Sequence, residues 1–202
     1  MESAEEPFLG YKKMCDLVGP RYAKCWFDNY QLGDDENRPH RQNAIDTARQ
    51  YAIDLRDKPG SGRNLIMMGM CGTGKDHLAV AVARAALVFR INVKYVRGSV
   101  LCNLCNEHKR EHASDVPHEL LNVELLVISD IEPTPYKASD FEERALLTLI
   151  DYRYGKLLPT VVTSNACSID EMSAVIGERT VSRLFHDAIV VPMMWADFRS
   201  NA

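Results

Sequence analysis

The stretch from Asn64 to Ala83, NLIMMGMCGTGKDHLAVAVA, constrains the fold more than any other part of the chain. An apolar run ends in glycine, a glycine-rich turn follows, and Lys75 opens a run of helix-forming residues. This order of strand, turn and helix is the context that the G-x-x-x-x-G-K motif requires of a phosphate loop. The glycines let backbone N–H groups converge, and the helix N-terminus adds positive potential. The predicted phosphate-binding residues are Gly69, Cys71, Gly72, Thr73, Gly74, Lys75, Asp76 and His77.

The rest of the chain alternates between strand-like and helix-like segments. Near-continuous apolar runs occur at 92–97, 124–130, 159–165 and 188–193, which is typical of strands covered on both faces. Helical stretches are predicted at 41–55, 76–89, 99–110, 140–154 and 169–185. This alternation predicts a three-layer α/β fold around a mostly parallel sheet. We expect an irregular N-terminal segment with a short helix over 1–40 and one globular domain over 41–202.

Composition excludes several classes of protein. A length of 202 residues with 46% hydrophobic residues suits one domain with a full core. A net charge of −4 disfavours a nucleic-acid binder that is basic over its whole surface. No apolar run is long enough for a membrane helix, and the acidic N-terminus is unlike a signal peptide. Scattered cysteines indicate free thiols in a reducing, cytoplasmic setting.

Five motifs in series carry a resemblance to a known family. GTGKDHLA, ELLVISDIEP, LIDYRYGKLLPTVVTSN, GERTVSRL and WADFRS follow the order and spacing of the DnaC-type helicase loaders. Those proteins are AAA+ ATPases, and the transposase helper IstB is a relative. The resemblance implies an αβα P-loop NTPase core of the AAA+ type with little or no C-terminal helical lid. It also implies ATP and Mg²⁺ as cofactors. The implied partners are single-stranded DNA and a DnaB-type replicative helicase, with homo-oligomers forming on ATP or DNA binding.

The metal-site positions depart from the family pattern. The family has a hydroxyl after the loop lysine, where this chain has Asp76. After the third apolar run the family has a metal-binding acid and then a glutamate that orients the attacking water, where this chain has Ser129 and Asp130. One interpretation is an exchange, in which Asp76 and Ser129 have swapped places, remain hydrogen-bonded and serve the metal together with Asp130. A second is decay, with ATP bound but not turned over. A third shifts the register, so that Asp130 serves the metal and Glu132 orients water.

Other site residues follow from the resemblance. Asn165 would read the γ-phosphate, or alternatively cap the next helix. Arg183 would be an arginine finger acting across a subunit interface, supported by Arg179, or both belong to a solvated basic face. Arg199 matches the second sensor arginine. The predicted catalytic residues are therefore Lys75, Asp130, Asn165 and Arg183, with weak hydrolysis expected because of the metal-site departures.

DNA contacts are expected near PTPYKASDF, at Lys137, Ser139 and Phe141, where a cation and an aromatic ring suit a single strand. The alternative is that Ser139 caps a helix and Phe141 packs in the core. Zinc binding by the run CNLCNEHKREH (Cys102, Cys105, His108 and His112) is disfavoured, because no loop separates the ligand pairs.

About 26 residues precede FDNY, too few for the separate helicase-binding domain of the loaders. We therefore expect a helicase loader with slow or impaired hydrolysis. The alternative is an IstB-like transposase helper or a non-hydrolysing nucleotide-sensing scaffold.

Overall fold

The computed structural model describes residues 12, 14–58, 60–111, 116–132 and 138–197. The strands are β1 Leu65–Gly69, β2 Val93–Arg97, β3 Leu125–Ser129, β4 Thr160–Ser164 and β5 Ile189–Met193. They form one sheet in the order β2-β3-β4-β1-β5, and every pairing is parallel. All five lie within the ranges predicted from the apolar runs, and the structure confirms the parallel α/β fold.

The helices largely match the predicted stretches. They are α1 Arg38–Asp57, α2 Lys75–Val88, α3 Gly98–Glu111, α4 His118–Asn122, α5 Asp140–Gly155, α6 Ile169–Ile176 and α7 Glu178–Phe185. Residues 14–18 are also helical, and a 3₁₀ turn spans Phe27–Asn29. The short helix α4 was not predicted, because five residues carry too little periodicity to be recognised.

The sheet is buried on both faces, which explains why its strands read as continuous apolar runs. In β1, Leu65 and Met67 point into a core shared with α1 and α2, whereas Ile66 and Met68 point into a core shared with α3, α5, α6 and α7. Successive side chains on a strand face opposite ways, so each strand contributes to both cores. The fold therefore has three layers.

Gly177 corrects the prediction of a single helix over 169–185. It has φ +89°, and an added Cβ would lie 2.3 Å from the Glu143 carboxylate, so this position requires glycine. The chain turns there, ending α6 and starting α7. The predicted spacing of Arg179 and Arg183 survives, since both lie within α7.

The segment before α1 packs against the α2 layer. Met14 and Ala23 are buried against Val80 of α2, and Phe27 and Tyr30 join the core beneath α1. At the other end, no helix follows β5 up to Asp197, the last residue that the structure describes. Among the described residues, no helix is long and apolar enough to cross a membrane.

Candidate nucleotide-binding site

The candidate site lies at the carboxyl edge of the sheet, where the loop after β1 meets the ends of β3 and β4. A cavity of about 540 Å³ opens there, next to the point where the strand order reverses. Ligands of open parallel sheets bind at this edge. The predicted residues that line the cavity are Cys71, Gly72, Thr73, Gly74, Lys75, Asp76, His77, Asp130 and Asn165. Its opposite wall is formed by the N-terminal segment, through Arg21, Tyr22, Cys25, Asn29, Tyr30 and Gln31.

Lys75 is folded back into the loop. Its side chain is 5% exposed, and Nζ donates to the carbonyls of Gly69 at 2.9 Å and Met70 at 2.7 Å. The Thr73 hydroxyl donates to the same Met70 carbonyl at 2.9 Å. Burial lowers the pKa of Lys75, and the nearby Cys71 and Asp76 oppose that shift. The loop therefore holds a desolvated cation in the position where a phosphate would be attracted most strongly.

Two aromatic side chains from opposite ends of the chain fix the loop. The Tyr30 hydroxyl donates to the Thr73 carbonyl at 2.7 Å, and Trp195 Nε1 donates to the same oxygen at 3.0 Å. The Tyr30 ring lies so close to Gly74, at φ +91°, that an added Cβ would be 2.6 Å from a ring carbon. Both hydrogen bonds depend on the tertiary fold, because Tyr30 comes from the segment before α1 and Trp195 from the segment after β5.

His77 faces the same wall. Its Nε2 lies 2.8 Å from the Trp26 carbonyl, and its ring meets Tyr30 edge-on with centroids 5.3 Å apart. Burial lowers the pKa of His77, which favours the neutral imidazole. His77 thus ties the N-terminal segment to the first turn of α2.

Asp76 is held by hydroxyl groups from two neighbouring strands. Ser129 at the end of β3 donates to Asp76 Oδ1 at 2.8 Å, and Thr163 of β4 donates to the same oxygen at 2.9 Å. The exchange interpretation required the first of these hydrogen bonds, and the structure contains it. The second was not foreseen. A carboxylate fixed in this way beside Lys75 provides an oxygen ligand at the phosphate end of the cavity.

Asp130 follows Ser129 in a left-handed backbone conformation, with φ +46°. Its N–H donates to the Thr163 hydroxyl at 2.8 Å, and its carboxylate accepts from Asn165 Nδ2 at 3.2 Å. Burial raises the pKa of Asp130, and the charges of Asp76 and Glu132 raise it further. Such perturbed carboxyl groups cluster at functional sites.

Glu132 and Asn165 bear on two of the alternatives raised by the sequence. Glu132 accepts a hydrogen bond from Ser164 and is not among the residues lining the cavity, which disfavours the register-shifted assignment. Asn165 does not cap the next helix, because Ser168 is the N-cap residue of α6 and accepts from the Glu171 N–H. The Asn165 amide instead contacts Asp130.

The carboxylates that line the cavity fit a magnesium ion that is also bound by phosphate oxygens. Among the described residues, no three His, Cys, Asp or Glu side chains converge into a self-sufficient metal site. Mg²⁺ at nucleotide sites does not need one, since it takes one or two carboxylates together with phosphate oxygens and water. Asp76 and Asp130 both line the cavity and can supply carboxylate oxygens. Ser129, predicted as a metal ligand, is 0% exposed and is not among the lining residues, so it acts through its hydrogen bond to Asp76.

Arg183 lies outside the cavity of its own chain. Its Nε donates to Asp151 of α5 at 2.9 Å, its guanidinium is 5.0 Å from the Tyr154 ring centroid, and half of its side chain is exposed. Arg179 is exposed on the same helix. Arg199 lies outside the described residues.

The other sequence-based candidates lie away from this cavity. Ser139 is the N-cap of α5 and forms a capping box with Glu142, while Phe141 packs against the core. These are the structural roles considered as the alternative to DNA contact, and Lys137 lies outside the described residues. Cys102 and Cys105 are buried, and burial raises the pKa of Cys102 to about 12. Of the two histidines in that run, His112 lies outside the described residues, and the side chain of His108 is not described.

Sequence reasoning missed Thr163, Tyr30 and Trp195. A signal for Thr163 was available: it lies two residues before Asn165 on a strand, so both belong to the same face. No local pattern distinguishes Tyr30 or Trp195, because each acts through a contact with a distant loop carbonyl.

The chain is similar to known proteins in both sequence and fold. A family model described as IstB-like ATP binding protein matches residues 58–201. The replicative helicase loader DnaC of Escherichia coli (strain K12) is 27% identical over 188 residues, which cover 91% of this chain and 73% of the loader.

Two solved structures share the fold. A crystal structure of the DnaC helicase loader has a TM-score of 0.74 at 23% identity and covers 86% of this chain and 98% of its own. The replication initiator DnaA bound to AMPPCP and single-stranded DNA has a TM-score of 0.67 at 18% identity and covers 87% of this chain and 51% of its own. At these identities the two structures establish the fold alone.

Proposed function

We propose that this chain, which belongs to the family of IstB-like ATP-binding proteins, is a helicase-loader ATPase that binds Mg·ATP and acts on a DnaB-type replicative helicase and single-stranded DNA. One observation carries the nucleotide assignment: Lys75, Asp76, Asp130 and Asn165 all line one cavity at the carboxyl edge of the sheet. Similarity to DnaC over 91% of the chain supports the replication role.

In this proposal each residue has a separate task. Lys75 and the loop N–H groups hold the β- and γ-phosphates. Asp76 would hold the metal, with Ser129 fixing its carboxylate, and the metal would neutralise charge on the phosphates. Asp130 orients water, and Asn165 positions Asp130 and contacts the γ-phosphate. Asp130 has a shorter side chain than the family's glutamate, so slow hydrolysis is expected and ATP acts mainly as a switch.

The nucleotide site is tested with Lys75→Ala and a fluorescent ATP analogue. Removing the buried ammonium should weaken binding by at least about tenfold, as expected for one charge-assisted contact with phosphate. Lys94→Ala is the matched control, because Lys94 of β2 forms a surface ion pair with Glu119 of α4. Circular dichroism checks that both variants fold. Equal affinity in Lys75→Ala and the unsubstituted protein would reject the site.

A second candidate function is a transposase helper or nucleotide sensor that hardly hydrolyses ATP. The carboxylate at Asp76 favours it, because the usual metal hydroxyl of the loop is absent at that position. Co-elution separates the two candidates. An ATP-dependent complex with the replicative helicase of the same organism supports the loader, and one with a transposase supports the helper. ATP turnover with and without single-stranded DNA then shows whether the protein hydrolyses ATP during its function or uses bound ATP only as a switch.

A further inference from the structure

We propose that Thr163 of β4 is a positioning residue whose hydroxyl hydrogen-bonds both the Asp76 carboxylate and the Asp130 backbone. By holding Asp76 in place, Thr163 sets the Mg²⁺ concentration that nucleotide binding requires. This inference rests on the proposed nucleotide function and deepens it. Thr163 does not line the cavity, so it acts through its two neighbours and not by touching the nucleotide.

The geometry uses both hydrogen-bonding capacities of the hydroxyl group. Thr163 Oγ1 donates its proton to Asp76 Oδ1 at 2.9 Å and accepts the Asp130 N–H at 2.8 Å. Ser129 also donates to Asp76, but no other described side chain bonds both Asp76 and Asp130. A hydroxyl is donor and acceptor at one atom, and among side chains close to threonine in size only serine shares this property.

Burial makes the arrangement stiff. Thr163 is 0% exposed, and its hydroxyl has no access to water as an alternative partner. Loss of the hydroxyl would leave the Asp130 N–H without its acceptor, at a residue that already adopts φ +46°. It would also remove one of the two donors that fix Oδ1 of Asp76. Both residues would then be free to move away from the positions that the metal and the water require.

The experiment measures the Mg²⁺ dependence of nucleotide binding in the full chain. The affinity for a fluorescent ATP analogue is titrated against Mg²⁺, and once in a chelator without Mg²⁺. Thr163→Val keeps the volume and removes the hydroxyl. It should raise the half-saturating Mg²⁺ concentration by about tenfold, as expected for one lost hydrogen bond to a charged group. Affinity in chelator should change by less than about twofold, because Lys75 and the loop remain intact.

Two further variants separate positioning from a general structural effect. Thr163→Ser retains the hydroxyl, and its half-saturating Mg²⁺ concentration should stay within about threefold of the unsubstituted value. Thr160→Val is the matched control: Thr160 is 1% exposed on the same strand, but its hydroxyl accepts from Arg153. It should lower the melting temperature without moving the Mg²⁺ midpoint.

The outcomes distinguish this inference from the proposed function. If the unsubstituted chain binds no nucleotide, the proposed function fails and the inference fails with it. If it binds in a Mg²⁺-dependent manner and Thr163→Val has the same Mg²⁺ midpoint, only the inference is overturned. An equal shift in Thr160→Val and Thr163→Val would show a structural effect of β4 and would also overturn it.

Discussion

At the scale of single residues, the distinctive feature of the site is the position of the Asp76 carboxylate. Asp76 occupies the position after the loop lysine, and an anion so close to phosphates is unfavourable unless a cation lies between them. The hydrogen bonds from Ser129 and Thr163 hold this carboxylate at the end of β3, where a strand acid would otherwise stand. This is the arrangement that the exchange interpretation requires, in which the charge count of the family pattern would be preserved with its two residue types in exchanged positions.

A double-mutant cycle tests the exchange. Asp76→Thr leaves hydroxyls and no carboxylate at the metal, and should weaken Mg·ATP binding. Ser129→Asp crowds two carboxylates and should weaken binding of the phosphates. The double variant restores the family pattern, so it should bind better than the sum of the single effects by about 1 kcal/mol or more. Strictly additive losses, measured by nucleotide titration at fixed Mg²⁺, would favour decay of the metal site.

At the scale of elements, α5 is anchored by a buried arginine. Arg153 is 1% exposed, and its guanidinium donates to the carbonyls of Leu120, Val123 and Pro159 at 3.1, 2.9 and 2.7 Å. Nε also donates to the Thr160 hydroxyl at 3.1 Å. Burial lowers the pKa of Arg153 to about 10. One side chain therefore hydrogen-bonds backbone carbonyls in the segments that precede β3 and β4. These two strands carry Ser129 and Thr163.

Arg153→Met should destabilise the protein by about 3 kcal/mol, because several buried carbonyls lose their only charged donor. Arg144→Met is the control, since Arg144 is exposed on the same helix, and its effect should stay within about 0.5 kcal/mol. Urea unfolding measures both free energies. A loss in Arg153→Met no larger than that in the control would show that the network adds nothing to stability.

At the scale of the whole molecule, the nucleotide cavity and Arg183 are in different parts of one chain. Arg183 lies on α7, is paired with Asp151 and packs over the Tyr154 ring, and about half of its side chain is exposed. An arginine finger must reach the phosphoryl group that is being transferred. Arg183 does not line the nucleotide cavity of its own chain. If Arg183 is an arginine finger, as the family resemblance implies, it would have to act on the site of a neighbouring subunit.

Mixing two inactive variants tests this arrangement. Lys75→Ala supplies an intact finger and Arg183→Ala supplies an intact loop, so one composite site can form between them. ATP hydrolysis by the mixture should exceed that of either variant alone. A chain carrying both changes is the control and should rescue neither variant. If the two single variants co-assemble by light scattering and no hydrolysis returns, the finger does not act across subunits.

Local sequence patterns are enough to predict the strands, the phosphate loop and the three layers, because these depend on local period and on glycines at fixed offsets. Apolar runs marked every strand to within a residue at each end. The sequence also predicted that Asp76 lies beside Ser129, but only through resemblance to a family, because the two residues are 53 positions apart.

The surroundings of the site depend on contacts between residues that are far apart in the sequence. Thr163 meets Asp76 across 87 residues, and Trp195 meets Thr73 across 122, because the strand order brings β4 and β5 to either side of β1. A buried hydroxyl or indole N–H must find a partner, but which partner it finds depends on how the elements pack. Periodicity reports which face of an element is buried and does not report which distant atom that face will meet.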